Sequence, residues 1–95
     1  MDTNRLLDAG ECGTHLLFEH QAIEEAFAQR VEDLRGIVGA RLEEIHAAVE
    51  HVVSVPDLPA AQRFVSRLPS EVRHVLVMLY FELLEGRVRA KQPLH

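Results

Sequence analysis

The sequence predicts an all-α protein: one long N-terminal helix, a short middle helix and an apolar C-terminal helix, paired as a helical homodimer. Three observations carry this expectation. Large apolar residues recur at steps of three and four from Ile23 to Val53, segment 54–59 holds two prolines, and the stretch after Pro69 is apolar on two sides. Stripes at these spacings each bury one face of a helix, and prolines separate the helices that carry them.

The first 13 residues read as a flexible arm. Leu6 and Leu7 are its only large apolar anchors, inside a short helical possibility capped by Thr3 and closed by Gly10. Thr14, after Gly13, is a suitable N-cap for the main helix, because its hydroxyl accepts from a first-turn N–H that has no carbonyl partner. From there Ile23, Phe27, Val31, Leu34, Val38, Leu42, Ile45, Val49 and Val53 follow at steps of 4, 4, 3, 4, 4, 3, 4 and 4. Residues of this stripe repeat every eleven positions, which is about 3.67 residues per turn and keeps the stripe nearly straight. Gly36 and Gly39 each cost up to about 1 kcal/mol of helix propensity, but the stripe keeps its phase across both. One helix over residues 14–52 is therefore expected. At about 1.5 Å per residue it would be roughly 58 Å long, against about 30 Å for a compact chain of this size. A second copy is expected to cover the excess, with the dimer interface on Phe27, Val31, Leu34, Val38, Leu42 and Ile45.

Pro56 and Pro59 end the long helix, and Asp57 is placed to cap a short helix over residues 58–68 with Phe64, Val65 and Leu68 facing inwards. Pro69 stops that helix. The last helix starts at Pro69 or Ser70, with Glu71 near its positive end, and runs to Glu85 with Gly86 as its C-terminal cap. It carries two stripes, Val72, Leu76, Leu79, Leu83 and Val77, Phe81, Leu84, Val88, so one of them is expected to face a partner or a second copy. Residues 14–86 form the single helical domain, and residues 87–95 a flexible basic tail.

The chain has 95 residues, 47% hydrophobic and 26% charged, close to an ordinary globular composition and enough for one domain. Ten basic against 15 acidic residues give a net charge of −5, which disfavours direct nucleic-acid binding, where Lys and Arg must neutralise phosphates. No uncharged apolar run is long enough for a membrane span, the N-terminus lacks the basic and apolar regions of a signal peptide, and the single cysteine, Cys12, excludes an intrachain disulfide. A cytoplasmic protein without membrane contact is expected.

No catalytic, phosphate-binding or calcium-binding pattern is present, so no enzyme activity, active site or cofactor is expected. Cys12 and His15 have the spacing of half a zinc site, but a structural site needs four ligands, and Cys12 reads as a free thiol. His46 and Glu50, with Glu43 one turn earlier, and His20 with Glu24 place imidazoles and carboxylates four residues apart. Residues 16–23 followed by 46–50 resemble the first two helices of hemerythrin-like cation-binding domains, which hold a di-iron centre in a four-helix bundle. That resemblance implies a metal-binding helical protein as the alternative function. The family needs paired histidines on a third helix, whereas His74 here is followed four residues later by Met78, so no metal ligands are assigned. Solvated helix faces account for these pairs, and His15, His20, His51 and His95 are expected at the surface.

Residues 67–81 resemble the helix that opens the promoter-reading region 4 of bacterial sigma factors, but no recognition helix follows, so major-groove reading is not implied. In size, acidity and helical organisation the whole chain resembles the small helical anti-activators of LuxR-type quorum-sensing receptors. The resemblance implies a bacterial regulator that binds a transcriptional activator and blocks its dimerisation or DNA binding. Aromatic and large apolar residues dominate binding hot spots, so the protein-binding anchors are expected among Leu76, Met78, Tyr80, Phe81 and Leu84.

Overall fold

The structure is a computed structural model and describes residues 3–91. Among these residues every regular element is a helix: α1 (Thr3–Glu11), α2 (His20–Phe27), α3 (Val31–Ala40), α4 (Leu42–Ser54), α5 (Leu58–Arg67) and α6 (Ser70–Lys91). None is long and apolar enough to cross a membrane. α6 is the axis of the fold. Helices α1, α2, α3 and α4 all pack on it, and α5 closes over α4. Val72, Val75 and Val77 of α6 are fully buried, together with Ala61 of α5. The molecule extends 40 × 33 × 24 Å with a radius of gyration of 13.5 Å.

Local chemistry explains the second half of the chain. The Asp57 carboxylate accepts from the Ala60 N–H at 2.8 Å, pairing one of the donors that every helix start leaves open. Pro59 lies in the first turn of α5, where its missing N–H has no intrahelical acceptor to lose. Arg73 N–H bonds to the Pro69 carbonyl, so α6 begins directly after the proline, with Glu71 in its first turn.

The single long helix expected over residues 14–52 does not form. Residues 14–19 are not helical, and the remainder is three helices broken at residues 28–30 and at Arg41. The breaks are not at Gly36 or Gly39, both of which lie within α3. At the first break the Ala28 N–H returns to the Ala26 and Glu24 carbonyls, and the Gln29 amide donates to the Glu25 carbonyl at 3.0 Å. Arg30 is extended, and Glu32 and Asp33 open α3, where acidic side chains favour the positive end of the helix dipole. At the second break Arg41 leaves helical geometry (φ −127°, ψ 32°) while its N–H still reaches the Ile37 carbonyl. Its guanidinium grips both oxygens of Glu44, at 3.2 and 2.8 Å, and Glu71 of α6 at 3.2 Å. Broken twice, the segment folds back on α6, and the longest dimension of the molecule stays well below the roughly 58 Å of a continuous helix.

Both ends of the domain also differ from expectation. Residues 3–11 form α1, which buries Leu6, Leu7 and Gly10. Thr14 does not cap a following helix. Its N–H bonds to the Ala9 carbonyl and closes α1. Gly86 does not end the last helix, because α6 runs on to Lys91 and its final turns carry Arg87 and Lys91 to the acidic side of α1. Arg87 donates to the Asn4 carbonyl at 3.2 Å and to the Asp8 carboxylate, and Lys91 donates to Glu11 at 2.8 Å. The remaining four residues of the expected tail, with His95, lie outside the described residues.

Gly10 marks the closest approach between α1 and α6. A Cβ placed there would overlap the Tyr80 hydroxyl and lie 3.1 Å from a Leu84 methyl, whereas one at Gly86 would meet nothing within 4 Å. Gly10→Ala is expected to destabilise the fold by about 1–3 kcal/mol through overpacking. Gly86→Ala, in an open stretch of helix, is expected to stabilise it by up to about 1 kcal/mol. Urea denaturation midpoints of the two variants check both signs.

Candidate functional site

The residues expected to bind a partner or a second copy divide between core and surface. Leu76, Tyr80 and Leu84 are buried within the chain's own core, and Met78 and Phe81 are half-buried against it. Of the expected dimer stripe, Leu34 and Ile45 are buried and Val38 is half-buried against the core. Phe27, Val31 and Leu42 remain open, at 65%, 54% and 60% exposure. A stripe that is straight along one helix turns both inwards and outwards once that helix is cut into three. It therefore does not present one continuous interface.

Neither stripe of α6 faces solvent along its whole length. Val72, Leu76, Val77 and Leu84 are covered, while Leu83 and Val88 are 58% and 40% exposed. α2, α3 and α4 pack along α6, α1 covers its Tyr80 and Leu84 side, and its last turns outrun most of the helices around it. The feature that stands out at this open end is an aromatic pair. The Phe27 ring meets the Phe81 ring edge-on at 5.1 Å between centroids, and Val88 lies two turns beyond Phe81 on the same side of α6. Phe81 in turn packs against Tyr80 at 5.0 Å and His15 at 4.8 Å. Phe27 is thus a large aromatic side chain set on a firm aromatic base and open to water.

Behind this face the polar groups are few and placed. His15 Nδ1 and the Tyr80 hydroxyl share a 2.8 Å hydrogen bond, so His15 is not the free surface residue expected. His20 and His51 are exposed, and the His51 ring stacks on Phe64 at 4.1 Å. A cleft of about 600 Å³ opens beside His15 between α2 and α5, floored by Leu17, Phe18 and Val65 and edged by Glu25 and Arg73. Glu25 lies 3.9 Å from both Arg73 and the buried His74, whose Nε2 has no hydrogen-bond partner. The Arg41 guanidinium is held above its ordinary pKa, first by its hydrogen bond to Glu44 and further by Glu71.

The histidine–carboxylate pairs stand apart from one another. His20 contacts Glu24 at 2.8 Å and His46 contacts Glu50 at 3.6 Å, both on exposed helix faces. Among the described residues no group of three or more His, Cys, Asp or Glu side chains comes together as a metal site. Cys12 is a free, exposed thiol.

Glu25, Arg73 and Arg87 carry specific polar contacts and were not singled out by sequence spacing, and His15, singled out only with Cys12 as half a zinc site, bonds instead to Tyr80. Each partner lies on another helix, at separations such as the 65 residues between His15 and Tyr80, and no local pattern encodes such a contact. Comparison with known protein families, curated proteins and solved structures returns no match for this chain.

Burial raises the Tyr80 pKa above its ordinary value, because the phenolate would lose its hydration. The folded value then exceeds the unfolded value of about 10, so above that pH the unfolded chain releases a proton that the folded chain keeps. The stabilisation is fully present below about pH 10 and is lost as pH rises through the folded value. Tyr80→Phe is expected to be about 1 kcal/mol less stable at neutral pH, from the lost His15 bond, yet to lose less further stability at alkaline pH. Tyr80 is the sole tyrosine and the chain has no tryptophan, so a phenolate absorbance titration follows this group alone.

Proposed function

We propose that the chain is a protein-binding regulator that acts by occupying the surface of another protein rather than by catalysis. The single observation that supports this reading is the open aromatic face at Phe27, seated on Phe81 and extended by Val88. An exposed aromatic side chain on a rigid support binds with little loss of conformational freedom, which is the character of an interface anchor. Leu76, Tyr80 and Leu84 act as the support of that face rather than as anchors. Charged side chains of both signs border it: Glu24 precedes Phe27 by three residues, Glu82 follows Phe81, and Val88 lies between Arg87 and Arg89, the latter paired with Glu85. A partner with an apolar spot and a mixed, polar rim matches this pattern.

The resemblance to anti-activators of LuxR-type receptors makes the ligand-binding domain of such a bacterial activator the first partner to try. Binding would keep the activator off DNA by mass action, since a receptor held in a complex leaves the pool able to dimerise. Phe27→Glu tests the surface, because Phe27 is mostly exposed and its replacement is expected to change folding stability by less than about 1 kcal/mol. Titration of the receptor domain followed by calorimetry is expected to show binding by the parent chain and at least a tenfold weaker complex for Phe27→Glu. Equal affinity of parent and variant, with both folded by circular dichroism, would contradict the assignment of the face.

A further inference from the structure

α1 is held mainly by α6, and the fit between them is specific. Leu6 and Leu7 are buried, and Gly10 lets the α1 backbone pass against the Tyr80 hydroxyl and the Leu84 methyls. Two bases on α6 meet two acids on α1. Arg87 contacts Asp8 and lies 3.8 Å from Glu11, and Lys91 bonds to Glu11 at 2.8 Å.

The connection between α1 and the rest of the chain is short and sharply turned. After Glu11 the N–H groups of Cys12, Gly13 and Thr14 fold back to the carbonyls of Ala9, Gly10 and Ala9. Gly13 sits at φ +87°, the only positive φ among the described residues, and Cys12, Gly13 and Thr14 are exposed. Leu17 and Phe18, a few residues on, are already in the core. A helix with its own specific seat, joined by a short, tightly turned hinge, is the arrangement that favours exchange between identical chains. Opened out, residues 12–14 reach about 10 Å, with His15 and Leu16 still held by Tyr80 and Gln62. In the opened form the turn at Gly13 is lost, while every contact between α1 and α6 re-forms with a second copy.

We infer that the chain forms an exchanged homodimer in which α1 of each copy occupies the α6 seat of the other, held there by Leu6, Leu7 and Gly10 and by the Arg87 and Lys91 ion pairs. This interface is separate from the Phe27 face, so the dimer leaves that face free.

Lys91 is the sole lysine of the sequence, and its contact with Glu11 is close enough for a zero-length carbodiimide to convert it into an amide. Isotopically labelled and unlabelled full-length chains are mixed at high concentration under reducing agent, so that Cys12 does not join them. Monomer and dimer fractions are then separated, cross-linked and mapped by mass spectrometry. The expected result is a Glu11–Lys91 link within one chain in the monomer fraction and between labelled and unlabelled chains in the dimer fraction. Gly13→Val disfavours the left-handed turn but not an extended hinge, and is expected to raise the dimerisation constant roughly tenfold or more, whereas Gly13→Asn, which tolerates that turn, stays close to the parent. A dimer whose Glu11–Lys91 links all lie within single chains would overturn the proposal. So would parent and Gly13→Val chains that are folded yet remain monomeric at the highest concentration reached.

Discussion

α6 is apolar around most of the circumference of its first half, and that half has to be kept from water on nearly every side at once. Burial of large apolar side chains is worth about 1.5–3 kcal/mol each, and no single antiparallel helix covers more than one face. The chain meets the constraint by bringing four helices onto one. Cutting residues 20–54 into α2, α3 and α4 lets successive short pieces lie against different sides of α6, which a straight rod of the same length cannot do. The half-buried Arg41 clamp joins the second break to the start of α6, but ion pairs whose carboxylates are this open to solvent contribute little. Packing therefore decides where the segment turns, and Arg41 marks the corner.

Helical class, the cap of α5 and the start of α6 were legible because their causes are local. An Asp before a first-turn proline and a proline that stops one helix and starts the next act within a few residues. The stripe from Ile23 to Val53 was legible as helix but not as three helices. Its phase survives because each short piece presents one side to the same core, so continuity of the pattern did not imply continuity of the backbone. The stripe was also read from large residues alone. Ala26, Ala48 and Ala61 are among the most buried positions, and small side chains at these points let backbones come close. Leu34 and Ile45 face inwards with them, while Phe27, Val31 and Leu42 do not. At the termini the missing information was long-range. Nothing local to Gly86 says that the helix continues past it until Asp8 and Glu11 are known to lie alongside.

The surplus of apolar surface inferred from composition is smaller than three helices alone would leave, because α1 and the breaks at residues 28–30 and Arg41 supply cover that the helical pattern did not reveal. What remains is scattered: Val31 on α3, Leu42 and Val53 on α4, Leu83 and Val88 on the later turns of α6, and Phe27 leaning on Phe81. The same geometry explains why Leu76, Tyr80 and Leu84, rich in apolar character, are structural. Tyr80 and Leu84 lie under α1, with the Tyr80 ring against Phe18 and its hydroxyl tied to His15, and Leu76 is buried one turn earlier. Cover thus varies along one helix, its first half enclosed and its last turns shared between α1 and solvent.

Amide hydrogen exchange resolved along α6 tests this division most directly. Backbone amides from Val75 to Tyr80 are expected to exchange only through global unfolding, with the slowest rates in the chain, and those beyond Glu85 to exchange faster together with those of α1. Uniform protection along α6, or slowest exchange in a continuous block spanning residues 14–52, would contradict a fold organised around the enclosed first half of α6.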